Sequence, residues 1–472
     1  MSTNSNDLTP SQSTLSPAPL SAAGRYLVLL TAFLGWMFAG TQMSITSLAM
    51  RSASIDLLSR TGSLDLEQFH ELNSLLQKQE SGTALQEAFS ASDEEQLTRW
   101  RASAAQWFAW YQCAFLFGAA AGGLAFGRLG DRIGRSKAMA GSILCYSVIS
   151  GVAYFAQSPL QLLILRFVAC MGVGGMWPNG VALVSEAWSN LSRPMAAGVI
   201  GTAANVGMFL MATAAAYIEI TPEAWRWVML VGAAPVVLGV FTLFAVPESP
   251  RWLASRAAHI AEGKKTAPVG EVFQSPFLRI TMIGILLATI PLIGGWGSAN
   301  WMIPWAGEAG ETANPPNPYL KAQVGQARAL TGMVGSLLGG WIASFMGRRR
   351  TYLLISVGAL LCAQYAFWFT VPTDRSFLFW ASALGFFSGI YFGWLPLFLP
   401  ELFPTRVRST GAGVSFNFGR ILTALTIFAT GMLKDLFAGD YAQIGRVTSL
   451  IYAVGILAIW LAPDTSQKQL ED

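Results

Sequence analysis

Apolar residues in this chain gather into runs about twenty positions long, separated by polar connections, and strand-like alternation is absent. A helix crosses the ~30 Å hydrocarbon core of a bilayer in about 20 residues. Runs of that kind lie at 26–48, 104–126, 137–157, 159–187, 194–218, 225–246, 277–303, 322–345, 351–371, 376–399, 411–433 and 446–463. The pattern predicts an all-α polytopic membrane protein with twelve transmembrane helices, in a six-helix bundle over 25–246 and a second over 277–463. Two connections are long. Residues 51–103 join spans one and two, and Leu64–Arg101 within them is rich in Leu, Gln and Glu, which predicts a small helical cap. Residues 247–276 join the bundles, and Arg251–Glu262 predicts a helix lying on the membrane surface. The Ser/Thr/Pro-rich stretch 1–24 and residues 464–472 read as polar tails.

Composition sharpens this picture. Of 472 residues, 53% are hydrophobic and 12% charged, where a soluble domain carries about a quarter charged. Much of the surface must therefore face lipid. Lys and Arg are sided. One set of connections holds Arg128, Arg132, Arg135, Lys137, Arg193, Arg251, Arg256, Lys264, Lys265, Arg348, Arg349, Arg350, Arg406 and Arg408, while the opposite short loops hold few, such as Lys321 and Arg375. This predicts an inner or plasma membrane protein with both termini in the cytoplasm. The net charge of +4 is accounted for by this sidedness and gives no nucleic-acid signal. Cys113, Cys145, Cys170 and Cys362 each lie in an apolar run, and His70 and His259 lie in polar connections. No nucleophile–base set and no metal-ligand spacing emerges, so an enzyme, a metal and a cofactor are all disfavoured. The expected partners are a small molecule and the bilayer, with a monomer as the working unit.

The two halves repeat. Gly127, Asp131, Arg132, Gly134 and Arg135 follow span two; Gly340, Ser344, Phe345, Gly347 and Arg348 follow span eight, 213 positions later. Glu186, Arg193, Ala197 and Gly198 match Glu401, Arg408, Ala412 and Gly413 at an offset of 215. Duplicated halves place a substrate site between them near the midplane. Asp131, Glu186, Glu248 and Glu401 alternate with Arg132, Arg135, Arg193, Arg251, Arg348, Arg406 and Arg408 on the basic side. Partly desolvated ion pairs linking the halves there would act as a gate.

The loop Gly127–Arg135, with Trp225-Arg-Trp227, Pro247-Glu-Ser-Pro-Arg-Trp-Leu253 and Pro400-Glu-Leu-Phe-Pro-Thr-Arg-Val-Arg408, resembles the signature loops of the major facilitator superfamily, in particular its sugar-porter branch and related organic-acid and organic-anion carriers. The resemblance spans nearly all of 26–463 and implies an alternating-access transporter of a small organic solute.

Charges at membrane depth are functional candidates. Arg166 sits in span four and Arg420 in span eleven, with no Asp, Glu or His at the centre of any predicted span. Proton-coupled relatives carry acids in span one, where this chain has Gly35-Trp-Met-Phe-Ala39-Gly40-Thr-Gln42, and Gly174-Gly175-Met176 stands where organic-acid carriers often have Gly-Gly-Glu. Arginine does not titrate near neutral pH, so transport without proton coupling is expected. Gln42 resembles the amide of uncoupled sugar facilitators, but the Gln-rich span-seven motif of sugar porters is replaced by Gly294-Gly-Trp296-Gly-Ser-Ala-Asn300-Trp301-Met-Ile-Pro304, which resembles organic-acid carriers. Span eleven, with Asn417 and Arg420, also resembles such carriers. The resemblance therefore implies an organic anion, with Arg420 and Arg166 as cations and Gln42, Asn205, Asn300, Asn417, Trp296, Trp301, Tyr391 and Trp394 as further substrate contacts. A neutral sugar or polyol is the alternative, and a non-transporting receptor on the same fold is another.

Overall fold

The computed structural model describes residues 20–80, 90–188, 193–250, 252–254, 269–404, 407–432 and 440–465. Among these residues the elements are helices alone, and twelve of them are long and apolar enough to cross a membrane. Spans one to six are Ala22–Arg60, Ala91–Ile133, Arg135–Ala153, Pro159–Ala187, Arg193–Tyr217 and Trp227–Ala245. Spans seven to twelve are Leu278–Thr312, Leu320–Met346, Arg348–Phe369, Arg375–Glu401, Arg408–Met432 and Tyr441–Leu461. They form two pseudo-symmetric six-helix bundles.

Local chemistry sets the ends. Ser90 and Asp93 close a reciprocal capping box ahead of span two. Ser158 caps span four, with Pro159 in the first turn. Spans two and three are separated by Gly134 at φ 111°, and spans eight and nine by Gly347 at φ 86°, a backbone that L side chains rarely adopt. The two glycines are the repeat partners 213 positions apart, so the sequence duplication is also a duplication of backbone geometry.

Large apolar side chains such as Phe244, Phe155, Phe369 and Trp460 point outward, as lipid-facing residues do. The bundles meet where span two packs on span eleven and span five on span eight. We call the side carrying the 51–103 connection the cap face, and the side carrying the 247–276 connection the linker face.

The structure departs from the hydrophobic pattern in three places. Span one continues past the apolar run to Arg60, because Arg51 pairs with Glu311 of span seven and Asp56 with Arg226, just ahead of span six. The predicted cap helix is shorter: it covers Leu66–Glu80, and span two begins as early as Ala91. Its Phe69 and Leu72 pack with Ile55, Leu58 and Leu97 into a small separate core. Span seven is interrupted, with a π turn at Ile293–Ser298 and a 3-10 turn at Ala299–Trp301. Most of the predicted surface helix 251–262, together with residues 1–19 and 466–472, lies outside the described residues.

Candidate functional site

The interface between the bundles is lined by several of the predicted residues. Asn300 donates to Gln112 of span two at 2.9 Å. Asn205 of span five donates to Ser336 of span eight at 2.9 Å. Asn417 lies so near span two that a Cβ on Gly123 would stand 2.8 Å from its Oδ1. Half-buried Trp296 stacks on Phe115 of span two at 4.2 Å between ring centroids, and Trp301 stacks on Tyr441 and makes a T-shaped contact with Phe108.

Arg420 reaches across this interface. Its Nη1 donates to the Ala119 carbonyl of span two and to Asn417 Oδ1, both at 3.2 Å, and its guanidinium lies over Phe416 at 4.6 Å. Nε and Nη2 donate to no described residue, and no described carboxylate pairs with it.

Four other predicted residues are held inside a single bundle. Arg166, wholly buried, donates to Gln42 Oε1 at 2.9 Å, to the Gln42 carbonyl at 3.0 Å and to Thr46 at 2.7 Å. Gln42 is also engaged by Ser150 and by the Gly232 carbonyl. The amide on which the neutral-sugar alternative leaned thus bonds spans three, four and six and lies within the N-terminal bundle. Tyr391 pairs with Ser356 at 2.7 Å, and Trp394 donates to the Arg348 carbonyl at 3.0 Å, both deep in the C-terminal bundle.

At the linker face the predicted gate residues interact within bundles. Asp131 pairs with Arg135 at 2.7 Å. Glu248 accepts the backbone N–H groups of Arg135 and Ser136 at the start of span three, where the helix dipole favours an anion. A Cβ at Gly134 would sit 2.0 Å from Glu248 Oε2, so only glycine fits there. In the second bundle Arg348 forks onto Glu401 at 2.7 and 3.1 Å. Glu186 accepts from Ser249, and its repeat partner Glu401 accepts from Thr465. Arg132 is exposed, and Gly127 is open to space on its Cβ side. Arg251 and Arg406 lie outside the described residues, as do the side chains of Arg193 and Arg408. Between described residues, the ion pairs of this face stay inside one bundle. The expected pairs linking the halves here are met by none of them.

Pairs that do join the bundles lie at the cap face, on residues that the hydrophobic pattern did not single out. Buried Arg51 of span one forks onto Glu311 of span seven at 2.6 and 3.2 Å. Arg101 of span two meets Glu308 of span seven at 3.0 Å and the cap residue Asn73 at 2.6 Å. Lys321 of span eight donates to Ser52 at 3.3 Å and to the Ile220 carbonyl, both in the first bundle. The visible signal was a cluster of charges just beyond the apolar runs at Arg51, Arg101, Glu308 and Glu311.

Residues 28–427 match the Major Facilitator Superfamily. The chain belongs to that family. As a major facilitator protein it is an integral membrane protein, and its relatives are transporters of small organic solutes. It is 30% identical over 324 residues to the cis,cis-muconate transport protein of Acinetobacter baylyi, covering 68% of this chain and 76% of the relative. It is 28% identical to a putative niacin/nicotinamide transporter of Bacillus subtilis, covering 77% and 88%. Its fold resembles that of the xylose transporter XylE from E. coli, with a TM-score of 0.67 at 15% identity over 95% of this chain and all of that one.

Proposed function

We propose that this major facilitator protein is an alternating-access carrier of a small organic carboxylate, moved without proton coupling by exchange, export or facilitated diffusion. The single observation that carries this reading is Arg420, buried where the bundles meet, with no described carboxylate beside it and with N–H groups that donate to no described residue. A fixed guanidinium in a partly dehydrated passage favours a carboxylate, which it can grip with two parallel bonds. The names of the muconate and niacin relatives agree with an organic acid.

The carboxylates near the span ends support the absence of proton coupling. Asp56 is held by Arg60, Arg226 and Trp225, and Glu401 by Arg348 and Thr465. Each is matched to a permanent cation. Importing one anion against ~100 mV costs about 2.3 kcal/mol, a roughly 50-fold adverse ratio, so exchange or export is the natural direction. The linker face carries the basic connections and is assigned to the cytoplasm. The arrangement is then closed toward the outside by the Arg51–Glu311 and Arg101–Glu308 pairs.

The test uses nicotinate and nicotinamide, which share a ring and differ by one negative charge. Nicotinate and muconate should raise the melting temperature of the purified protein, since a ligand of the folded state stabilises by mass action. Nicotinamide should not, and Arg420→Gln should remove the difference. Equal stabilisation by acid and amide, or an unchanged preference in the variant, contradicts the reading.

A further inference from the structure

The C-terminal bundle holds a second arginine at membrane depth that the reading above does not use. Arg328 lies in span eight, a little over two turns from its cap-face end. No described residue accepts a hydrogen bond from its guanidinium, and no described acid pairs with it. Two hydroxyls close by are in the same position. Tyr452 of span twelve is wholly buried with an unpartnered OH, and Ser388 of span ten has a buried, unpartnered Oγ. The Arg328 guanidinium is an electrostatic neighbour of the Tyr452 hydroxyl, and the Ser388 hydroxyl lies within reach of it without an aligned hydrogen bond between the two. Native proteins rarely leave a buried polar atom without a partner. Three such atoms from three spans, one of them on a cation, present donors that a polar ligand can accept from.

The surrounding backbone accords with such a ligand. Spans eight and ten cross closely: a Cβ on Gly385 would stand 2.5 Å from the Arg328 carbonyl, and one on Gly389 would stand 2.3 Å from the Gly332 carbonyl. This crossing holds the Gly385–Gly389 turn of span ten, which carries Ser388, against the Arg328–Gly332 turn of span eight. Above Tyr452 runs the π turn of span seven, where a Cβ on Gly294 would lie 2.3 Å from the tyrosine hydroxyl. The next residue, Gly295, has open space where its side chain would be. A π turn frees backbone groups and commonly marks a working site.

We infer that Arg328, Ser388 and Tyr452, roofed by the π turn at Gly294–Gly295, form a carboxylate-binding subsite in the C-terminal bundle. The guanidinium supplies two N–H donors and the hydroxyls supply one each, which matches the acceptor sites of one carboxylate. The inference rests on the organic-anion reading and deepens it, since it places anion recognition at a position separate from Arg420.

The experiment measures nicotinate and muconate affinity, by titration calorimetry on the full-length purified protein, for the wild type, Arg328→Gln, Tyr452→Phe, Ser388→Ala and Arg420→Gln. Arg328→Gln should weaken at least one of the two anions roughly tenfold or more, as the loss of a charged hydrogen bond does. Tyr452→Phe should weaken the same anion by a smaller factor, and nicotinamide should not respond to either change. Wild-type affinity for both anions in Arg328→Gln overturns the subsite. If Arg328→Gln does not fold, Tyr452→Phe and Ser388→Ala carry the test, and unchanged affinity in both overturns it. An effect of Arg420→Gln alone would leave the organic-anion reading standing and remove only the Arg328 subsite. No anion binding by the wild type would remove both.

Discussion

The two faces of the molecule use similar charges for different purposes. At the cap face Arg51 and Arg101 reach from the first bundle to Glu311 and Glu308 of the second, so separating the bundles there must break ion pairs. At the linker face Asp131–Arg135 and Arg348–Glu401 each close within one bundle, so they can survive any movement of one bundle against the other. Among the described residues, the motif loops brace single bundles, and charges outside any motif join the two. Intact bodies and a breakable contact on one side are what rocking-bundle movement requires.

The comparison predicts a graded set of effects. The largest belongs to the most buried brace. Arg348 and Glu401 are 12% and 5% exposed, and removing one partner of such a pair costs about 3–5 kcal/mol. Arg348→Ala should therefore lower the melting temperature most. The distance between spin labels at Ser63 and Ser376, exposed positions on the cap face of the two bundles, should not change. A shifted distance with intact stability would make this pair a gate after all.

Next comes the cap-face lock. Glu311 is 35% exposed, so the penalty is discounted to about 1–3 kcal/mol, or roughly 5- to 150-fold in the ratio of open to closed states. Arg51→Gln should lengthen the Ser63–Ser376 distance in a larger fraction of molecules. An unchanged distribution would remove the lock. Asp131 is 54% exposed, and exposed pairs contribute under about 1 kcal/mol. Asp131→Asn should accordingly shift melting by far less than Arg348→Ala, and an equal shift would break the ranking by burial.

The smallest effect concerns the docking of the cap. His70 of the cap helix meets Glu223, in the connection between spans five and six, at 2.8 Å. Burial alone pushes the Glu223 carboxyl up, but hydrogen bonds from Thr221 and His70 outweigh it and hold the group below its ordinary value. A depressed carboxylate contributes stability that is present above its unfolded pKa and is lost as pH falls through the lowered one. Glu223→Gln should cost a few tenths of a kcal/mol near neutrality, and the difference from wild type should vanish below the carboxylate range. A difference that persists in acid would mean the contact does not depend on that charge.

The spans, their number and the duplicated halves were legible because lipid imposes long apolar runs and a repeat preserves its glycines, as Gly134 and Gly347 show. The cap-face lock was less legible. Arg51 and Glu311 are 260 positions apart, and both lie at the ends of apolar runs, where lone charges usually mark only a boundary. Among the arginines at depth, the apolar pattern drew attention to Arg166 and Arg420 and passed over Arg328; nor could it show that both terminal nitrogens of Arg166 are engaged by Gln42 and Thr46, while Arg420 donates from Nη1 alone. That distinction depends on which neighbours other helices bring. Gly294-Gly295 was a visible hint of the span-seven interruption; its position above Tyr452 was not.

The most direct measurement is nicotinate and muconate flux in proteoliposomes, with membrane potential and pH gradient imposed separately. Carriage of an anion on fixed cations without proton coupling should give an inside-to-outside anion ratio at equilibrium that falls by roughly 50-fold at ~100 mV, negative inside. The carrier should exchange anions freely and ignore the pH gradient. Accumulation driven by the pH gradient, at zero potential, would contradict it.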